Sequence, residues 1–187
     1  MFGVVFENIL KTKNMILKEV KVIEIEWDGP FHMDEIQKMN SECDYGLYMA
    51  FGHHRVYGEN VLLYVGKAEK QTFSKRILDH FLKEDWYGTE KIYLGRLGGK
   101  SDDIISFSEW NEYIDYSESK FIQFCQPAWN SSKLSSNKPP SFGDAIIFNS
   151  GKQLSAIPRV LSDILFLHSS FHKRIWEPYS NKKAINS

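Results

Sequence analysis

Two apolar runs, Tyr45-Gly46-Leu47-Tyr48-Met49-Ala50-Phe51 and Val61-Leu62-Leu63-Tyr64-Val65-Gly66, decide how this chain is read. Both are rich in aromatic and branched residues, and a polar stretch containing His53, His54 and Gly58 joins them. That is the pattern of a β-hairpin with a longer connection. Downstream the period changes. Phe73, Ile77 and Phe81 recur every four residues behind Thr72, a suitable N-cap, and Arg76 and His80 repeat the spacing on an adjoining face. An amphipathic helix is expected there.

Working outward, Lys91 to Leu97 reads as another core strand, closed by Gly98-Gly99. Ser108 is placed to cap a helix over about Glu109 to Phe124, with Trp110, Tyr113 or Ile114, Phe121 and Cys125 as its buried stripe and Pro127 as its stop. Upstream, Lys18 to Trp27 is a β-branched run in which the alternation of Val20 and Val22 slips into that of Ile23, Ile25 and Trp27, so a strand with a bulge is expected, ended by Asp28-Gly29-Pro30. A short helix fits the polar stretch from His32 to Asp44. Beyond the Ser/Asn/Pro-rich loop from Ser131 to Ser141 come a strand at Ala145 to Phe148, a turn at Asn149 to Lys152, a segment to about Leu167 that fits either element type, and a frayed end after about Trp176. The expected architecture is an α+β domain, a small mainly antiparallel sheet flanked by helices, at residues 44–132. An N-terminal strand or arm (1–43) and a C-terminal β-rich extension (133–187) would pack on it.

Composition narrows the function classes. With 42% apolar and 25% charged residues the chain falls in the globular range. No apolar run approaches the roughly 18 to 20 residues that span a bilayer, and Met1 to Leu17 is interrupted by Glu7, Lys11 and Lys13. Membrane insertion and export are not expected. Cys43 and Cys125 stand apart without a C-x-x-C, so neither a disulfide framework nor a thiolate zinc site is expected, and a cytoplasmic location follows. A net charge of -1 speaks against a polyanion partner only on average. Residues 101–118 carry six acids and no Lys or Arg, whereas residues 119–187 carry nine Lys or Arg against three acids. Local fields decide docking, so a basic C-terminal surface stays open to nucleic acid.

Gly46-Leu47-Tyr48, Tyr64-Val65-Gly66, Arg76, His80, Glu118 and Asn130 form an ordered set, each on the expected element type, and this set resembles the GIY-YIG nuclease superfamily. The likeness covers about residues 44 to 132. It implies the fold just described and a divalent-metal-dependent endonuclease that hydrolyses phosphodiester bonds of DNA by direct water attack. One Mg²⁺ or Mn²⁺ per active site is implied, held by Glu118. Such a reaction needs a base, charge neutralisation at the in-line transition state and help for the leaving oxygen. Arg76 suits a phosphate gaining charge, because its fork of donors matches the oxygens. Tyr48 is implied as base or water-positioning phenol with Tyr64 as its neighbour, and a phenol can take a proton near neutral pH only beside a cation such as Lys67, Arg76 or the metal. His80 is an alternative base or an orienting group. Asn130 is implied to tie its loop back to the site. A register error would transfer the metal role to Asp115, three residues before Glu118.

Other features carry less. His53-His54 on a strand would point to opposite faces, and Gly98-Gly99-Lys100 lacks the Walker spacing. The sequence departs from the family pattern in Val65, which replaces the usual Ile, in a rather long interval at residues 49–63, and in having no room for a separate DNA-recognition domain. Specificity would then come from the arms, a homodimer or a protein partner. A restriction-type enzyme is one expectation, favoured by Tyr-Val-Gly-Lys-Ala and Pro-Ala-Trp-Asn. The alternative is a catalytically inactive or partner-dependent nucleic-acid or protein binding module with the same fold.

Overall fold

Ile23, Ile25 and Trp27 alternate with Glu24 and Glu26, and period-two geometry sends the apolar side chains to one face of a strand and the acids to the other. The computed structural model describes residues 20–81, 90–98, 106–134, 145–152 and 157–162. In it this strand is β1 (Lys21–Phe31), followed by α1 (Met33–Ile36), β2 (Gly46–His54), β3 (Gly58–Ala68), α2 (Phe73–Phe81), β4 (Lys91–Gly98), α3 (Phe107–Cys125), β5 (Ala145–Gly151) and β6 (Val160–Ser162). Gly99-Lys100, the greater part of the Ser/Asn/Pro-rich loop and the tail after residue 162 lie outside the described residues.

The six strands form one sheet in the order β3-β2-β4-β1-β5-β6. Neighbours are antiparallel except β1 and β5, which run parallel with Lys21 opposite Ala145 and Trp27 opposite Gly151. The sheet is therefore mixed, and it curls into a half-barrel that outweighs its few helices. This corrects the expected small, mainly antiparallel sheet flanked by helices. The physical reason is the place of β1. Periodicity shows that a strand has one apolar face but says nothing of which strands it joins or in which direction. Here β1 uses both edges, with β4 on one side and β5 on the other.

Three local corrections have equally local causes. Asp28-Gly29-Pro30 does not end β1: Asp28 pairs with Leu94 and Phe31 with Ile92, so Gly29 and Pro30 together oppose Tyr93 as a bulge. A Cβ at Gly29 would lie 2.7 Å from the Ile92 carbonyl oxygen, and Pro30 has no N–H to leave unpaired. The β2–β3 connection is short rather than long, because both strands run on through the polar residues to His54 and Gly58 and leave Arg55 to Tyr57 as the turn. The cap of α3 is Ser106 rather than Ser108: its Oγ accepts from the Glu109 backbone N–H at 3.3 Å while the Glu109 carboxylate accepts from the Ser106 backbone N–H at 3.1 Å. Ser106-Phe107-Ser108-Glu109 is the capping-box pattern.

The sheet divides the core in two. On one face Ile23, Ile25, Trp27, Leu47, Met49 and Val65 pack against Ile114, Phe121 and Ile122 of α3. Trp27 meets Phe121 edge-on at 5.5 Å. On the other, Tyr48, Ala50, Ile92 and Leu94 pack against Phe73 and Ile77 of α2 and Ile36 of α1. Each fully buried large side chain contributes about 1.5–3 kcal/mol relative to exposure, so both helices are held chiefly by their apolar stripes. Among the described residues, no helix is long and apolar enough to cross a membrane.

The β1–β5 junction is fastened by a buried polar pair. Trp27 Nε1 donates to Asn149 Oδ1 at 2.9 Å, and Asn149 Nδ2 donates to the Pro158 carbonyl at 2.8 Å. An Asn149→Leu variant strands the indole N–H in the core and is expected to lose about 1–3 kcal/mol of stability. Urea unfolding should show a lower midpoint at unchanged slope, and an unaltered midpoint would contradict the assigned role.

Candidate active site

Both tripeptide glycines have a steric cause. Gly46 sits at φ 146°, and a Cβ there would fall on the Gly95 carbonyl oxygen of the neighbouring strand. Gly66 lies directly opposite Tyr48 across the β2–β3 ladder. A Cβ on it would stand 2.6 Å from both Cζ and the hydroxyl oxygen of Tyr48, and 2.7 Å from Cε1 of Tyr64. Gly66 is thus a notch across which the first phenol lies. Tyr48 and Tyr64 stack at 5.9 Å between ring centroids, and α2 brings His80 to 6.2 Å from Tyr48 and 5.1 Å from Tyr64. One turn earlier on α2, Arg76 donates from Nε to the Lys67 carbonyl at 3.3 Å.

Tyr48 has no exposed surface, and its hydroxyl is buried with the Tyr64 phenol as its polar neighbour. Burial pushes its pKa well above the usual tyrosine value. The neighbouring Tyr64 and the Glu118 carboxylate push the same way, and the Arg76 guanidinium opposes them. Four groups from four elements therefore share one field, with His80 at its edge.

Glu118 comes from α3 and is 8% exposed. Its Oε2 receives Lys133 Nζ at 2.5 Å. Asn130 spans both backbone groups of Val65: Oδ1 accepts from the Val65 N–H and Nδ2 donates to the Val65 carbonyl, each at 2.9 Å. The Ala128 and Trp129 N–H groups donate to the Leu62 and Leu63 carbonyls. The segment after α3 is thereby fastened along β3 on both sides of Tyr64.

The structure brings Tyr48, Tyr64, Arg76, His80 and Glu118 together, with Asn130 as the tie. Lys67 is the exception. Only its carbonyl faces Arg76, and its ammonium is taken by the carboxylates of Glu69 and Asp115. Burial pulls its pKa down, but the hydrogen bonds to Asp115 and Glu69 outweigh that and leave it raised. Asp115 is thus committed to Lys67, whereas Glu118 lies in the field of Tyr48. His53 and His54 serve the hairpin: His53 Nδ1 bonds Glu59 at 2.9 Å, and His54 Nδ1 accepts from the Val56 and Tyr57 N–H groups. Lys133 went unnoticed in the sequence, where a lysine in a Ser/Asn-rich stretch carries no signal. Glu69 went unnoticed likewise.

Among the described residues, no group of three or more His, Cys, Asp or Glu side chains converges to hold a metal. The donor set is the single Glu118 carboxylate, nearly sealed and already neutralised by a cation. A lone hard oxygen donor suits Mg²⁺, which keeps most of its waters and takes further oxygens from a phosphate.

Two outcomes follow from this packing. Replacing Gly66 with Ala forces the Tyr48 and Tyr64 rings apart and is expected to cost about 1–3 kcal/mol in urea unfolding. Because the folded protein holds the Tyr48 proton more tightly than the unfolded chain, its contribution is complete below the ordinary phenol pKa and is lost as pH rises beyond it. Stability should therefore fall more steeply above about pH 10 in wild type than in Tyr48→Phe, measured by denaturation at pH 8 to 11. No family model, curated protein or solved structure matches this chain, so the reading of the cluster rests on its own geometry.

Proposed function

We propose that this chain is a divalent-metal-dependent DNA endonuclease of the GIY-YIG type, hydrolysing phosphodiester bonds by direct attack of water. The observation that carries this reading is the convergence on the Tyr48 phenol of Tyr64, Arg76 and Glu118 from separate elements, with the His80 ring against both phenols. Gathering a half-buried guanidinium and a buried carboxylate around one enclosed hydroxyl costs desolvation, which a purely structural core has little reason to bear.

In this proposal Glu118 would hold one Mg²⁺ or Mn²⁺, which when bound would supply Lewis-acid polarisation of a phosphate. Arg76, anchored through Nε, offers its guanidinium to the phosphate oxygens. Burial keeps the Tyr48 hydroxyl protonated and enclosed in the free protein, so it can donate to water or a phosphate oxygen only once the site opens to substrate. The proton leaving water goes to the imidazole of His80, the side-chain type suited to exchange near neutral pH. Tyr64 orients the His80 and Tyr48 rings, and Asn130 holds β3 in register. Lys67 supports Arg76 through its carbonyl. A groove of about 850 Å³ lined by Lys70, Phe107 and Trp110 also contains Glu42 and Glu69, and its Arg96 is paired with Asp44, so it offers a nucleic-acid strand aromatic faces without an excess of free cations. A restriction-type homodimer would pair two single-cut sites across a duplex. A reducing, cytoplasmic setting suits the free thiols of Cys43 and Cys125.

One observation favours the second reading, a binding module without turnover. The Tyr48 phenol is fully enclosed and Glu118 is already paired, as in a closed site. Supercoiled plasmid and pooled genomic DNA with Mg²⁺ decide between the two. The nuclease reading expects metal-dependent cleavage that EDTA abolishes, with losses of about 10²-fold or more in Arg76→Ala and Glu118→Gln while DNA binding persists. DNA binding without wild-type cleavage on any DNA form would support the binding module instead.

A further inference from the structure

The loop after α3 is built to hold one ammonium group on one carboxylate. Gln126 leaves the helix in the left-handed conformation at φ 48°, and its Nε2 donates both to the Gln123 carbonyl at 2.7 Å and to the Leu134 carbonyl at 3.2 Å. Asn130 is pinned to Val65 by two hydrogen bonds. Between these pins Lys133 also takes the left-handed conformation, φ 65°, which costs an L side chain free energy and is uncommon outside Gly, Asn and Asp. The strained turn aims Nζ back at α3, where it meets Glu118 Oε2 at 2.5 Å. The two partners are unequally enclosed: the Lys133 side chain is 34% exposed and that of Glu118 11%. The ammonium, the more exposed of the two, is the partner with solvent to move into.

We propose that Lys133 is a resident counter-ion that a divalent metal must displace from Glu118, so that it sets the metal affinity of the free protein. This rests on Glu118 being the metal's carboxylate. A buried carboxylate left alone carries a desolvation penalty, and the ammonium relieves it in the absence of metal. A divalent ion offers the same oxygen twice the charge, but it must first exchange a short charge-assisted hydrogen bond. Once displaced, the ammonium remains tethered nearby by the loop pins. Lys133 is thus a positioning residue that tunes occupancy of the site.

Water-proton relaxation titration with Mn²⁺ alone, on full-length protein without DNA, tests this. Lys133→Met should tighten Mn²⁺ binding about tenfold, the scale of a lost competing charged hydrogen bond, and Lys133→Arg should return it to the wild-type value. Glu118→Gln should abolish the binding. A second measurement uses only the wild-type fold: acetylation of Lys133 by an activated ester, read by peptide mass spectrometry with and without Mg²⁺, with exposed Lys38 and Lys91 as internal standards. Lys133 labelling should rise severalfold with metal while the standards stay constant. Unchanged or weaker Mn²⁺ binding in Lys133→Met, or metal-insensitive labelling, with binding still lost in Glu118→Gln, would overturn the counter-ion role and leave the Glu118 assignment standing. Undiminished Mn²⁺ binding in Glu118→Gln would overturn that assignment and the counter-ion role with it.

Discussion

Strand β1 satisfies its backbone on both edges, antiparallel to β4 and parallel to β5, and the remainder of the architecture hangs on that double pairing. It places Ile23, Ile25 and Trp27 at the centre of the face on which α3 packs. It also carries strand β4, whose other edge carries β2 and, through β2, β3. Gly95 shows how close this stacking is. A Cβ there would stand 2.8 Å from the Trp27 ring, so the indole covers the middle of β4, the position that pairs with Leu47 of β2. The phenol-bearing hairpin is thus supported from beneath by residues remote in sequence.

From that base two fasteners converge. Asn130 imitates a strand neighbour by offering one acceptor and one donor to the same residue of β3, which fixes the C-terminal end of α3 against the edge of the sheet. Arg76 does the reverse from α2, donating to the Lys67 carbonyl two residues beyond Val65. Helices on opposite faces of the sheet are therefore indexed to the same short piece of β3, from Tyr64 to Lys67. A carboxylate from one helix and a guanidinium from the other meet around a phenol from β2 because both are measured from that common backbone.

Much of this was legible residue by residue. The alternation in β1, the four-residue period of Phe73, Ile77 and Phe81, and the apolar runs of the hairpin are local signals with local causes, and they named the elements correctly. What escaped was the relation between elements: a parallel partnership spanning more than a hundred residues leaves no trace in the periodicity of either strand. Punctuation was also ambiguous. Gly29-Pro30 reads as a stop but serves as a bulge, since missing N–H groups and missing side chains suit both uses. At the site, the tyrosines, Arg76, His80 and Glu118 could be nominated by type and order, whereas Lys133 could not, because its significance lies in a loop conformation that brings it back fifteen residues along the chain. The field around Tyr48 was expected to acidify the phenol. Burial, which depends on the whole tertiary structure, reverses the direction.

The segment Ala128 to Asn130 has one more effect. Strand β3 ends the sheet in the order of its strands, and an uncovered edge of this length invites another chain to pair with it. By taking up the Leu62 and Leu63 carbonyls and both backbone groups of Val65, these three residues leave that stretch with little to offer a newcomer. Two copies of this chain cannot merge their sheets into one continuous ribbon through the middle of β3 without first unfastening the tie that holds the strand beside Tyr64. Association by that route and an intact site are mutually exclusive.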